Sequence, residues 1–320
     1  MHATGGADIL TLDAVPVPAP AAGEALVRVA YAGVNFIDIY KRNGLYAVPL
    51  PHIVGEEGSG IVEAVGAGVT SVAPGDHVAW AAPTGTYAEY SVVPEAKLVP
   101  VPKGVDLRVA AATMLQGMTA HYLSRAIHPV KPGDRVLIHA AAGGVGLILT
   151  QIVKMFGGFV IGTAGSEEKC ALARAAGADA VINYSTHDFA AEVLRITDGA
   201  KVHVVYDSVG KSTFLKGIGV LVPRGMMVSF GQSSGAVEPF DPLVLSRNGS
   251  LFLTRPTLNH YVATRDELVM RATDLFNWIG AGTLDVRVGA EFALADAAEA
   301  QRALEGRRTT GKVVLRTAAT

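Results

Sequence analysis

Residues 135–146 read R-V-L-I-H-A-A-A-G-G-V-G, and L-I-L-T-Q-I-V-K-M-F follows directly. A short apolar strand runs into a turn of alanines and glycines, and an apolar helix leaves it. A strand with no polar face must be covered on both sides, which a parallel sheet flanked by helices provides. The alternation then repeats. F-V-I-G-T is a strand, E-E-K-C-A-L-A-R-A-A a helix stopped by Gly177, and A-V-I-N-Y a strand. A helix over 187–196 leads to the strands V-H-V-V-Y-D and G-M-M-V-S-F. Strand and helix in strict succession predict an α/β fold with a doubly wound parallel sheet.

The turn at 140–146 also carries chemistry. Gly143 lets a pyrophosphate approach the backbone, and Gly146 lets helix and strand pack closely. The helix N-terminus that follows offers unpaired N–H groups and the positive end of its dipole. Ala142, Gly143, Gly144, Val145 and Gly146 are therefore the expected cradle of a dinucleotide, with Ala141 standing where a first glycine is usual. NAD sites place an Asp or Glu at the end of the second strand to bind the ribose 2′-hydroxyl. Here that strand ends Gly162-Thr163-Ala164-Gly165-Ser166, with no carboxylate. Glycine leaves room for a 2′-phosphate, and Ser166 and Lys169 supply a hydrogen bond and a charge, so NADPH is expected. Glu167 and Glu168 belong to the first turn of the next helix.

The amino-terminal part has a different texture. E-A-L-V-R-V-A-Y-A alternates as a half-buried strand, and 59–66 forms another. A-P-G-D at 73–76 is a type II turn into the strand His77–Trp80. Short strands punctuated by Gly and Pro are expected throughout 8–102, making a compact β-rich unit. Residues 105–128 read helical. A helix near 265–280, a strand near Phe292, a helix over 296–306 and a last strand V-V-L-R follow, a tail too short to fold alone.

A chain of 320 residues with a formal charge of −2 gives no electrostatic reason to expect nucleic acid as main partner. No apolar run reaches the roughly 18 residues of a membrane span. Met1–Gly6 lacks the pattern of a signal peptide, and Cys170 is the single cysteine, so a cytoplasmic protein without disulfides is expected. His139 reads as core, His52 has no partner at metal spacing, and Met226 and Met227 read as strand packing.

These motifs resemble a known family. Gly133–Lys154, G-V-N-F-I-D-I-Y-K-R-N-G-L-Y, V-G-E-E-G-S-G, V-V-Y-D-S-V-G, F-G-Q-S-S-G and T-R-P are similar to the zinc-independent quinone oxidoreductases of the ζ-crystallin type, in the medium-chain dehydrogenase/reductase superfamily. The resemblance covers nearly the whole chain. It implies a Rossmann domain over 117–255 and a GroES-like catalytic domain built from both ends, 1–116 and 256–320. It also implies NADPH and a homodimer joined through the Rossmann domains.

In the zinc-dependent cousins a Cys and a His bind the metal. Asn35 stands at the Cys position and Glu56 at the His position, so no thiolate or imidazole is offered and no metal is expected. Asn35, Tyr40 and Tyr46 match residues lining the nicotinamide and substrate cleft. Lys169, Tyr184 and Arg307 match those around the 2′-phosphate, with Gly165 beside them; Arg307 could equally pair with Glu305 at the surface. Phe230, Gly231, Gln232 and Thr254 match the nicotinamide side, and Thr119 a position near the phosphate or the nicotinamide riboside. The expected activity is NADPH-dependent, metal-free hydride transfer to a quinone, with Asn35 and a tyrosine hydroxyl stabilising the oxyanion. An enone or 2-alkenal reductase of the same superfamily is the alternative, and an RNA-binding or structural relative a more distant one.

Overall fold

The structure, a computed structural model, describes residues 1–317. The chain runs through β1 Glu24–Val34, α1 Phe36–Arg42, β2 Glu57–Val65, β3 His77–Ala81, β4 Tyr90–Pro94, β5 Val99–Pro100 and α2 Leu107–Tyr122. It continues with β6 Arg135–Ile138, α3 Gly144–Met155, β7 Phe159–Ala164, α4 Glu167–Ala175, β8 Ala180–Asn183 and α5 Phe189–Ile196. Next come β9 Val202–Asp207, α6 Phe214–Gly219, β10 Leu221–Ser229, α7 Leu243–Arg247, β11 Phe252–Thr254 and α8 Leu258–Tyr261. It closes with α9 Arg265–Gly280, β12 Val288–Ala293, α10 Ala297–Glu305 and β13 Lys312–Arg316. Two compact units result: Met1–Met118 with the chain from Val262 onwards, and Thr119–Tyr261.

The first unit is one seven-stranded sheet in the order β12-β13-β1-β2-β3-β5, with β4 also paired to β1. β13 lies antiparallel to β1, Tyr31 opposite Arg316, so the last strand is built into the sheet of the first. Alternate strand residues bury Val27, Val29, Val62, Val78 and Trp80 in one core, joined by Leu98 from just before β5. The turn at 73–76 forms as expected: the Asp76 N–H meets the Ala73 carbonyl at 3.0 Å and Gly75 takes φ +93°. Two features differ from the expectation. No strand precedes Glu24, because Pro16, Pro18 and Pro20 lack the N–H a ladder needs. The segment Phe36–Arg42 is a helix, although its β-branched and aromatic residues lack helix propensity.

The second unit is a six-stranded parallel sheet in the order β11-β10-β9-β6-β7-β8. Leu137, Ile161, Val205, Phe214, Ile218 and Met227 fill one side of it. β7 and β8 continue from one edge of β6, while β9 lies against its other edge. The order therefore reverses between β6 and β9, and a doubly wound sheet binds ligands at the carboxyl ends of its strands at that point. Among the described residues no helix is long and apolar enough to cross a membrane.

Candidate functional site

In the second unit, β6 ends at Ile138 and Ala140 turns the chain through φ +53°. The Ala141 N–H bonds to the Thr163 carbonyl at 2.9 Å and the Gly143 N–H to that of Ala140 at 2.9 Å, which closes the turn. Ala141 packs where glycine is usual because Gly162 on β7 makes room: a methyl added there would lie 2.9 Å from the Ala141 Cβ. A methyl at Gly146 would lie 2.5 Å from the Ala140 oxygen and 2.7 Å from the Ala141 Cα, so only glycine lets α3 sit this close to β6. No side chain caps the N-terminus of α3, and its first turn holds no acid. The N–H groups of Gly144, Val145 and Gly146 thus stand without a helical partner at the strand reversal, a donor set that fits a pyrophosphate.

The neighbouring strand ends complete this edge. β7 leads into Gly165 and Ser166, whose hydroxyl accepts the Lys169 N–H at 3.3 Å and caps α4. A methyl at Gly165 would meet the Tyr184 hydroxyl at 2.6 Å, so the space glycine leaves here is taken by that ring. Glu167 is turned along its helix: it accepts from Asn183 Nδ2 at 2.8 Å and faces Arg174 at 3.9 Å. Phe230, Gly231 and Gln232 follow β10, and Thr254 closes β11. Gly231 passes within a methyl's width of Ser208, because a Cβ there would lie 2.6 Å from the Ser208 oxygen. A cavity of ≈ 270 Å³ opens beside them, lined by Phe214, Gln232, Val237, Phe240, Leu253 and Arg255. Thr119 is buried and hydrogen-bonded to Tyr122, which stacks on Tyr261 at 4.4 Å. His139 is buried as expected, bonded to the Thr163 hydroxyl at 3.0 Å, and burial lowers its pKa to about 4.

Asp207, at the end of β9, was not assigned a role from the sequence. Its buried carboxylate accepts the N–H groups of Val209 and Gly210 at 2.7 and 3.0 Å and the Thr213 hydroxyl at 2.9 Å. It folds the loop that presents Ser208 to Gly231. The run D-S-V-G carries the signal, since aspartate commonly ties the backbone two residues on.

In the first unit, Asn35 precedes α1, and its backbone N–H donates to Asp38 Oδ2 at 2.8 Å. Its side chain is fully engaged. Nδ2 donates to Glu57 Oε2 at 2.8 Å and to the Gly33 carbonyl at 3.3 Å, while Oδ1 accepts from Lys312 Nζ at 2.7 Å. Both amide hydrogens are spent inside the protein, which corrects the expectation that Asn35 donates to an oxyanion. Tyr40 and Tyr46 lie edge to face with centroids 5.6 Å apart, and Phe36 lies 6.0 Å from Tyr40. The Tyr46 N–H bonds to the Tyr40 carbonyl at 3.0 Å, which folds the loop back over α1.

The metal frame is filled by ion pairs. Glu56, at the position of a histidine ligand in zinc enzymes, is paired with Lys41. Glu57 is paired with the buried Lys312 and accepts the Leu115 N–H at 2.6 Å. Among the described residues no group of three or more His, Cys, Asp or Glu could hold a metal ion. Arg307 sits in this unit, after α10, with φ +55°. Glu305 nearby accepts from Arg42 Nη2 at 2.8 and 2.9 Å.

Comparison with known proteins places this arrangement. Residues 21–103 match the alcohol dehydrogenase GroES-like domain, and residues 144–276 match the zinc-binding dehydrogenase model. The chain is 46% identical over 315 residues to a quinone oxidoreductase of Pseudomonas aeruginosa, covering 98% of this chain and 97% of that one. It is 43% identical over 326 residues to a 2-haloacrylate reductase of a Burkholderia species, again covering 98% and 97%. The solved structure of Escherichia coli quinone oxidoreductase complexed with NADPH matches with a TM-score of 0.96 at 42% identity, covering 98% of each chain.

Proposed function

The chain belongs to the quinone oxidoreductases of the medium-chain dehydrogenase/reductase superfamily, and from that premise we propose that it reduces quinones by hydride transfer from NADPH without a metal. One observation carries the reading: an intact phosphate cradle at α3 stands in a chain that offers ion pairs where a zinc would need ligands. Bound NADPH supplies the hydride.

The protein's own residues do the rest. The amide groups at Gly144–Gly146 hold the pyrophosphate, and Ser166, Lys169 and Tyr184, with Gly165 beside them, hold the 2′-phosphate end. Phe230, Gly231, Gln232, Thr254 and Thr119 serve the nicotinamide end. A quinone spreads the charge it gains over a conjugated ring, so a Lewis acid is not needed, and a hydroxyl donor is enough. Tyr46 fills that role and delivers the proton, Tyr40 braces its ring, and Asn35 holds α1 in place.

NADPH oxidation should be rapid with quinones, and slow with 2-alkenals and 2-haloacrylates, and a chelator should leave the quinone rate unchanged. A rate lost to the chelator, or faster turnover of 2-haloacrylate than of any quinone, overturns the assignment. Cofactor choice has its own check. Lys169→Met should cost about 10- to 100-fold in kcat/KM for NADPH, the worth of one charged hydrogen bond, and leave NADH unaffected. Equal losses with both cofactors would remove Lys169 from the 2′-phosphate.

The same reading includes a homodimer. β11 ends the parallel sheet with an unpaired edge on which Phe252 is 57% exposed, the kind of apolar edge a second copy covers. A cytoplasmic setting completes it, consistent with a lone, buried, unbridged Cys170.

A further inference from the structure

Lys312 is 1% exposed, on β13. Burial pulls its pKa down, while the adjacent Glu57 carboxylate opposes that shift. A buried ion pair is a poor stabiliser, because desolvation offsets most of the attraction, and apolar replacements are often as stable. The arrangement of this pair points to another role.

Glu57 is saturated. It accepts from Lys312, from Asn35 Nδ2 at 2.8 Å and from the Leu115 N–H at 2.6 Å. Asn35 Oδ1 accepts from Lys312 at 2.7 Å and from Gln116 Nε2 at 3.4 Å. An asparagine amide has two nearly isosteric orientations. A cation against its oxygen and a carboxylate against its nitrogen leave only one. Gly33 is part of the device, since a methyl there would collide with Glu57 Oε2 and Lys312 Cε. The cluster thus joins β13, β2, α2 and the residue that starts α1. From α1 rises Tyr40, whose carbonyl in turn holds Tyr46.

We propose that Lys312 is a positioning residue of the reaction: through Asn35 and Glu57 its ammonium sets the first turn of α1 and so the placement of Tyr40 and Tyr46. This rests on the assignment of those tyrosines to the quinone. Lys312→Met alone leaves Glu57 an unpaired buried carboxylate and endangers the fold, so the test uses Lys312→Met/Glu57→Gln, which removes both charges. Two readouts are followed in the full-length protein. One is the ring ¹³C signals of labelled tyrosine, assigned with Tyr40→Phe and Tyr46→Phe. The other is kcat with a quinone beside KM for NADPH.

The expected result is a cooperatively folded double variant with displaced Tyr40 and Tyr46 signals. Its kcat should fall about 10²-fold, as for a ~1 Å misplacement, with KM for NADPH unchanged. A folded variant with native tyrosine signals and native kcat overturns the proposal. If the unaltered protein reduces no quinone, the functional reading fails, and the tyrosine signals still decide whether Lys312 positions the pair.

Discussion

Asp38→Asn should stabilise the protein by on the order of 4 kcal/mol at pH 7 and above, and by almost nothing near pH 4. Asp38 is fully buried in α1. One oxygen accepts the Asn35 N–H at 2.8 Å and the Tyr87 hydroxyl at 3.1 Å, and the other has no partner. Burial first, then the charge of Glu56, push its pKa up to about 7 against the ordinary 3.8. The Asn35 N–H, Lys312 and Tyr87 pull the other way without prevailing. The folded pKa therefore lies above the unfolded one. The protonated acid belongs to the native state, so its stability is complete below about pH 4 and is lost as pH rises through about 7. Asparagine keeps an acceptor for Asn35 and Tyr87 and never ionises. Denaturant unfolding from pH 4 to 8 measures the effect, as a wild-type decline that the variant lacks. Parallel curves for the two proteins would show that Asp38 is ionised in the fold. The group also borders the Lys312 cluster, so its charge state bears on how firmly α1 holds the tyrosines.

What was readable in the sequence had local causes. Gly146 reports its own close approach to Ala140, and Gly75 and Gly133 report turns through positive φ. The missing acid after β7 is visible because the whole ribose-binding position lies in five consecutive residues. α1 was not readable: Phe36, Ile37, Ile39 and Tyr40 carry little helix propensity, and tertiary partners hold it. Asp38 starts it, and Arg42 ties its end to Gln301 and Glu305 across some 260 positions of chain. The ion cluster was hidden for the same reason, since Lys312 and Asn35 are 277 positions apart. The pattern V-G-E-E-G-S-G announced that metal ligands were gone. It could not announce that ammonium groups from Lys41 and Lys312 neutralise the two glutamates. The Asn35 amide was unreadable in the same way, because Glu57 and Lys312, which engage it, are joined to it by no local pattern.

Gly146→Val should abolish measurable NADPH binding, and comparison with Gly143→Ala separates the two duties of the turn. The atoms a Gly146 side chain would strike, the Ala140 oxygen and the Ala141 Cα, are backbone at the end of β6 and cannot rotate away. Relief requires α3 to slide off the sheet, which costs about 1–3 kcal/mol of stability by overpacking. That slide moves the unpaired N–H groups of the helix N-terminus. A displacement of ~1 Å is worth about 10²-fold in function, and several phosphate contacts are lost together. At Gly143 an added methyl would touch only the Ala140 oxygen, at 3.2 Å, so the fold should tolerate alanine with a small change in melting temperature. Any loss of NADPH affinity in Gly143→Ala then reports obstruction of the pyrophosphate itself. Calorimetric titration with NADPH, beside thermal unfolding of each variant, reads both effects. Gly146→Val binding NADPH as the parent does would mean that α3 does not carry the phosphates. In that case the cofactor reading would have to rest on the Ser166–Lys169 turn alone.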